Sequence, residues 1–219
     1  MDVQQALSQR RSVRGFLSTP ASPDTLRTLF ERAQRSPSWC NIQLWRVWVT
    51  SGETTTRLAN AMLTAVDANP NGQAEIPFPA GYPEPYGTHR RECGKALFSA
   101  MGIARDDMPA RLSAFRANYH AFGAPHIVIL AYDGHFGTYG ALDMGCYLQS
   151  VLLAAEELGL ATCPQAALAN YPDAIRSVLP VPTNLTILCG VALGYEDKSV
   201  KANACRTARA PLSDNVQFV

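Results

Sequence analysis

Among its 219 residues the chain has no G-x-G-x-x-G after a strand, no P-loop, no H-E-x-x-H and no G-x-S-x-G. A standard dinucleotide fold, an NTPase phosphate loop, a zinc-protease helix and a nucleophile elbow are therefore unsupported. The six cysteines (Cys40, Cys93, Cys146, Cys163, Cys189 and Cys205) form no C-x-x-C and share no ligand spacing with the four histidines. No metal site is expected, and reduced, mostly buried thiols in a cytoplasmic protein are. Charge of one sign is also missing. A net charge of +1 points to neither nucleic acid nor an anionic membrane as partner. The opening residues, 1–11, are polar where a signal peptide would need an apolar run. The apolar stretch 141–155 is interrupted by Asp143, Gln149 and Ser150 and closed by Glu156 and Glu157, short of the about 20 residues that a membrane span needs. Internal repeats and low-complexity tracts are absent.

What is present is an ordinary apolar content of 47% with 17% charged residues. A chain of this size buries roughly 70% of the surface its unfolded form exposes, so a core needs no staple. One domain over 1–219 is expected. Helices are predicted over about 2–10 (Asp2 as N-cap), 23–35 (Ser22 cap, Pro23 first, with Leu26, Leu29, Phe30 and Ala33 as the stripe), 54–67, 107–121, 140–158 and 171–178. Strands are predicted at 45–50, 126–132 and 185–194, and Val216, Phe218 and Val219 suit an edge strand. Between 68 and 92, Pro70, Pro77, Pro79, Pro83 and Pro85 exclude a regular helix or central strand. That segment reads either as a surface excursion or as a lid carrying Tyr82, Tyr86, Arg90 and Arg91. Helices around a few buried strands make an α+β sandwich. The helix at 140–158 is apolar nearly all round, which a dimer core would bury easily.

The chemistry-bearing residues gather at the two ends. Arg10, Arg11, Ser12 and Arg14 follow the first helix, and Arg206 and Arg209 lie near the end. Arginine grips phosphate through paired N–H donors; a basic helix end is also what the helix dipole favours on a solvated face. The segment Ser36 to Arg46 puts amides, hydroxyls and two tryptophans at a loop-to-strand junction. It suits a heteroaromatic ring needing edge hydrogen bonds and a stacking surface, and equally a pair of core anchors, Trp39 and Trp45.

Four segments in order resemble the nitroreductase family. They are Arg10-Arg11-Ser12-Val13-Arg14-Gly15-Phe16, Pro37-Ser38-Trp39-Cys40-Asn41-Ile42-Gln43-Leu44-Trp45, Gly159-Leu160-Ala161-Thr162-Cys163-Pro164-Gln165 and Arg206-Thr207-Ala208-Arg209-Ala210-Pro211-Leu212. Leu44 stands where the family usually has proline. The resemblance implies an α+β sandwich with a central, mostly antiparallel sheet flanked by helices, built as an intertwined homodimer. It implies tightly bound FMN at the subunit interface, NAD(P)H as electron donor and ping-pong reduction of a small aromatic acceptor, with likeness to the nitrobenzoate-type branch. The alternatives are the same fold and flavin with another reaction (quinone or enone reduction, dehydrogenation or reductive dehalogenation) or a flavin-binding module without turnover. By position, Arg10 and Arg209 would hold the phosphate, with Arg11, Ser12 and Arg206 beside them. Arg14 would lie at the flavin N1 and O2 edge. Pro37, Ser38, Trp39 and Asn41 would reach the flavin from the partner subunit. Pro164, Gln165 and Ala166 would offer mainly backbone contacts to the ring's polar edge, and Asn118 would be a further flavin contact.

Overall fold

His126–Asp133 and Leu185–Gly194 are near-continuous apolar runs, and each becomes a strand covered on both faces. The computed structural model describes residues 1–219. Its one sheet holds β1 (Arg46–Val49), β2 (His126–Asp133), β3 (Ala161–Gln165) and β4 (Leu185–Gly194) in the order β1-β2-β4-β3, every pair antiparallel. The β2–β4 ladder carries a bulge: Leu130 faces Cys189 while Ala131 faces Ile187, leaving Leu188 unpaired. Side chains alternate with period two, so one extra residue inverts the faces beyond it. Ile187 accordingly packs with Ile127, Ile129 and Ala131 on one side, while Cys189, Val191 and Leu193 pack with Val128, Leu130 and Tyr132 on the other.

Each face has its own helical layer. On one lie α2 (Pro23–Ala33) and α6 (Gly137–Glu157); on the other lie α3 (Glu53–Ala68), α7 (Pro172–Val178) and the 3-10 turns Ala117–Gly123 and Ala166–Asn170. Helix α2 begins as its sequence directs: Ser22 Oγ accepts the Thr25 N–H at 3.1 Å and Pro23 takes the first helical position. The α+β sandwich with an antiparallel sheet between helices stands as expected. No helix is long and apolar enough to cross a membrane.

Several expectations need correction. The proline-rich stretch is not loop throughout: α4 runs Tyr86–Met101. The prolines end at Pro85, the residue that caps α4, where a missing N–H costs the helix nothing. Residues 69–75 are fastened down. Glu75 accepts from Arg176 at 2.8 Å and from the Ile187 N–H at 2.8 Å, and the Gln73 N–H donates to the Asn170 carbonyl at 2.7 Å. The helix expected over 107–121 is α5, Met108–Arg116, which gives way to a 3-10 turn where Ala121 and Phe122 take φ of 50° and 55°. Strand β3 has no apolar alternation to announce it; it exists because β4 offers it a free edge. Val216, Phe218 and Val219 form no strand and are exposed after the short helix α8, Leu212–Asn215.

His126 joins three elements at the start of β2. It is 1% exposed. The Ala21 N–H donates to its Nε2 at 3.0 Å, so the proton sits on Nδ1, which donates to the Thr50 carbonyl at 2.9 Å. Replacing His126 with leucine would keep the volume and orphan both backbone groups. A loss of about 2–4 kcal/mol is expected, read as a lowered urea midpoint; an unchanged midpoint would show that the imidazole only fills space.

Candidate functional site

The two ends of the chain meet. Asp2 and Gln5 cap α1 (Val3–Gln9) reciprocally, the Gln5 N–H reaching Asp2 Oδ1 at 2.8 Å. Arg10 then leaves the helix with an extended backbone. The strand that follows lies along β3: the Val13 N–H donates to the Thr162 carbonyl at 2.9 Å and Ser12 bridges Thr162. Extended residues alternate sides. Val13 is buried in the core at 3% exposure, while Arg10, Ser12 and Arg14 line a cavity whose wall Arg11 also reaches. The tail arrives through Asn203, buried in the 3-10 turn Lys201–Ala204. Its Oδ1 accepts the Arg14 N–H at 2.6 Å, and its Nδ2 donates to the Gly15 carbonyl at 2.9 Å and the Asp197 carbonyl at 2.8 Å. One amide thus locks residues 14–15 to residues 197–203.

The cavity between these ends is about 340 Å³ and is lined by five guanidiniums, those of Arg10, Arg11, Arg14, Arg206 and Arg209. One of the five is neutralised: Arg11 pairs with Glu196. Arg206 and Arg209 each turn one nitrogen onto carbonyls of their own loop, those of Asn203 and Ala208 at 2.8 and 2.9 Å. Arg10 Nε and Arg11 Nε are buried with no hydrogen-bond partner in the chain. Such donors are costly unless an anion satisfies them. Glu156 is the nearby acid; burial raises its carboxyl, with Arg11 and Arg10 pulling the other way.

A second pocket of about 200 Å³ adjoins the first and shares Arg14 and Leu97 with it. Phe98, Met101, Phe115 and Phe122 make it apolar, and Asn118 stands at its side. Gln165, 3% exposed at the end of β3, donates from Nε2 to the Asn118 carbonyl at 2.8 Å. Its Oε1 is buried and unpaired. Flipping the amide would set oxygen against oxygen, so Gln165 presents an acceptor. Pro164 and Ala166 flank it at the end of β3 and the start of the next turn. None of Pro164, Gln165 and Ala166 lines the two pockets. Behind the site, burial raises the Cys163 thiol, partly offset by Arg14 and Ser12, and pushes the Cys189 thiol up to about 12. Burial thus disfavours the thiolate, the nucleophilic form, in both.

Pro37, Ser38, Trp39 and Asn41 do not join this cavity within one chain. They sit on the α6 side. Trp39 is 54% exposed and its ring meets Tyr139 edge-on at 4.6 Å. Cys40, Asn41 and Gln43 take φ of 45°, 58° and 48°, a left-handed conformation that costs a non-glycine residue about 1–2 kcal/mol. Ser38 Oγ accepts the Gln43 N–H at 3.1 Å. Both oxygens of Asp143 accept the Trp39 N–H at 3.1 Å.

Sequence reasoning missed Asn203, Asp143, and the α4 contribution of Cys93 and Leu97 to the cavity wall. Nothing local marks Asn203 or Asp143, each one polar residue in an unremarkable stretch. Helix α4 was hidden behind the prolines that precede it.

The model of the nitroreductase family matches residues 7–195. A 4-nitrobenzoate reductase of Nocardioides sp. (strain LMS-CY) is 34% identical over 214 residues, covering 96% of this chain and 87% of that protein. Nitroreductase NfnB of Mycolicibacterium smegmatis is 35% identical over 216 residues, covering 98% and 92%. Among solved structures, the FMN-dependent nitroreductase NfnB from Mycobacterium smegmatis in complex with NADPH superposes with a TM-score of 0.94 at 34% identity, covering 99% of this chain and 97% of that one. The FMN- and NADPH-dependent nitroreductase NfnB from a Sphingopyxis strain, HMH, gives 0.96 at 34% identity, covering 100% and 99%.

Proposed function

The chain belongs to the nitroreductase family, and from that premise we propose that it is an FMN-dependent NAD(P)H oxidoreductase that reduces nitroaromatic compounds. One observation carries the reading: five guanidiniums from both chain ends line a cavity that shares Arg14 and Leu97 with an apolar pocket. A dianionic head joined to a flat, largely apolar ring is the molecule that such a pair of pockets suits. The buried, unpaired Arg10 Nε and Gln165 Oε1 ask for an anion and for an N–H donor respectively, and FMN offers both.

Bound FMN would supply two-electron chemistry between the nicotinamide and the acceptor. The protein's own part is binding and electrostatics. Arg10, Arg209, Ser12 and Arg206 hold the phosphate; Arg11, already paired with Glu196, adds field more than contact. Arg14 keeps a fixed positive charge at the ring's pyrimidine edge, where reduction builds negative charge. Gln165 would accept from the ring edge through its unpaired Oε1, with Pro164 and Ala166 beside it and Asn118 on the wall of the apolar pocket. Leu97, Phe98 and Phe122 exclude water from the apolar pocket. The site has no buried nucleophile and needs none.

The working form is a homodimer in which Pro37, Ser38, Trp39 and Asn41 of each subunit reach the flavin of the other. Supporting this, α1 packs on α6, and together they leave Leu7, Tyr139 and Leu142 at 53%, 58% and 61% exposure. An apolar face of that kind marks an interface. Residues 1–219 act as one flavin-binding unit. Within 68–92 the lid role falls to 76–81, since 69–75 are fastened to β4 and α7, and Tyr82 and Glu84 are held by Arg90, Thr88 and Arg91 of α4. The six free thiols fit a reducing, cytoplasmic setting.

The test is an anaerobic absorbance spectrum of the purified protein. Flavin bands near ~450 nm should bleach on adding NADPH or NADH and return on adding a nitroaromatic. A colourless protein that takes up no added FMN would sink the reading. Bands that bleach but return only with a quinone would keep the flavin and reject the acceptor.

A further inference from the structure

Asp143 is a carboxylate with 6% exposure on the helix α6, and it joins none of the chain's five ion pairs. Its one hydrogen-bond donor is the Trp39 backbone N–H, shared between its two oxygens at 3.1 Å each. A carboxylate can accept about four hydrogen bonds. Burying its charge for a single backbone N–H works against stability, so the residue's use lies elsewhere.

The loop that it holds is the strained one, where Cys40, Asn41 and Gln43 are left-handed. Apart from a long bond from Arg46 Nη1 on β1 to the Gln43 carbonyl at 3.4 Å, the remaining bonds of this loop are internal: Gln43 N–H to Ser38 Oγ at 3.1 Å, Gln43 Nε2 to the Asn41 carbonyl at 3.1 Å, and the turn bonds Asn41 N–H to Ser38 and Ile42 N–H to Trp39 at 3.0 Å. Bonds inside a loop set its shape and travel with it; they do not fix where it sits. From α6, two side chains tie it to the body, the Asp143 carboxylate and the Tyr139 ring, 4.6 Å from Trp39. Residues 139 and 143 are four apart and share one face of α6.

We propose that Asp143 and Tyr139 are positioning residues that clamp the strained 38–43 loop onto α6 and so set how Trp39 and Asn41 meet the flavin. The proposal rests on the reading that this loop reaches the partner's FMN. The carboxylate acts through the Trp39 N–H, and asparagine keeps one acceptor for it. Geometry, not charge, is what the clamp supplies.

The experiment uses full-length protein with Asp143→Ala, Asp143→Asn and Tyr139→Leu. The first readout needs no flavin: the alkylation rate of the exposed Cys40 within the loop, followed by mass spectrometry on FMN-free protein. The second is the FMN dissociation constant from flavin fluorescence, and the third is KM against kcat for a nitroaromatic. Asp143→Ala should speed Cys40 alkylation several-fold, weaken FMN about tenfold, equivalent to about 1.4 kcal/mol, and raise the acceptor KM more than it lowers kcat. Asp143→Asn should restore all three to within about twofold of wild type. If Asp143→Ala does not fold, Tyr139→Leu carries the same expectation for Cys40 and for FMN. Equal losses in the alanine and asparagine variants would overturn the clamp in favour of a role for the charge. So would Cys40 rates unchanged in the alanine and leucine variants. A wild-type protein that binds no FMN would instead remove the functional reading, and the Cys40 rates would still judge the clamp.

Discussion

Replacing Arg10 with alanine is expected to strip FMN from the protein during gel filtration, at a cost of about 2–5 kcal/mol in affinity. The reason is burial without a partner. Arg10 Nε is shielded from water and bonded to nothing in the chain, so in the complex its charge acts on the phosphate with little screening. Arg209 would serve the same phosphate on weaker terms. It is exposed, and its Nη1 is already spent on Thr207 and Ala208. Arg209→Ala should therefore cost less than Arg10→Ala, whereas motif position alone makes the two equal. Binding constants from flavin fluorescence decide it. If Arg10→Ala retains its flavin through the column, the phosphate is held elsewhere.

Arg14→Ala should do the opposite: keep most of the flavin and impair its reduction. The Arg14 backbone is fixed by Asn203, at 2.6 Å from N to Oδ1. One guanidinium nitrogen donates to the Ser12 carbonyl at 3.2 Å. The side chain lines both pockets, which puts its charge where the arginine-lined cavity meets the apolar pocket. Removing one preorganised donor from a developing negative charge costs roughly 10²- to 10³-fold in rate. The expected result is a lower reduction potential, measured against a reference dye, and a slowed reductive half-reaction by anaerobic stopped flow. Lysine at the same position should recover part of both, as a point charge without the fork. Equal potentials in mutant and wild type would take this role from Arg14.

Much of this protein was legible from local pattern. Ser22 and Pro23 start α2 because a hydroxyl cap and a fixed φ act within one turn. The apolar runs 126–132 and 185–194 read as buried strands, and strands form there. Arg10, Ser12 and Arg14 were readable as anion-binding equipment because a guanidinium's chemistry travels with the residue. The four motifs in order carried the family, the fold and the flavin.

Only the tertiary structure decided what depends on partners distant in sequence. That Arg14 and Arg206 share a cavity follows from Asn203, whose amide finds Gly15 from 188 residues away. Helix α4 was invisible because five prolines precede it, and their effect stops at Pro85. Strand β3 needed the free edge of β4, and the faces of β4 invert at Leu188 through a bulge that no alternation rule foresees. Asp143 reads in the sequence as an interruption of an apolar helix; the fold makes it the tether of a strained loop. Propensity, capping and side-chain chemistry act over a few residues and are written along the chain. Register, burial of a lone acceptor and the meeting of two termini are set by which surfaces pack, and that is settled only when the whole core closes.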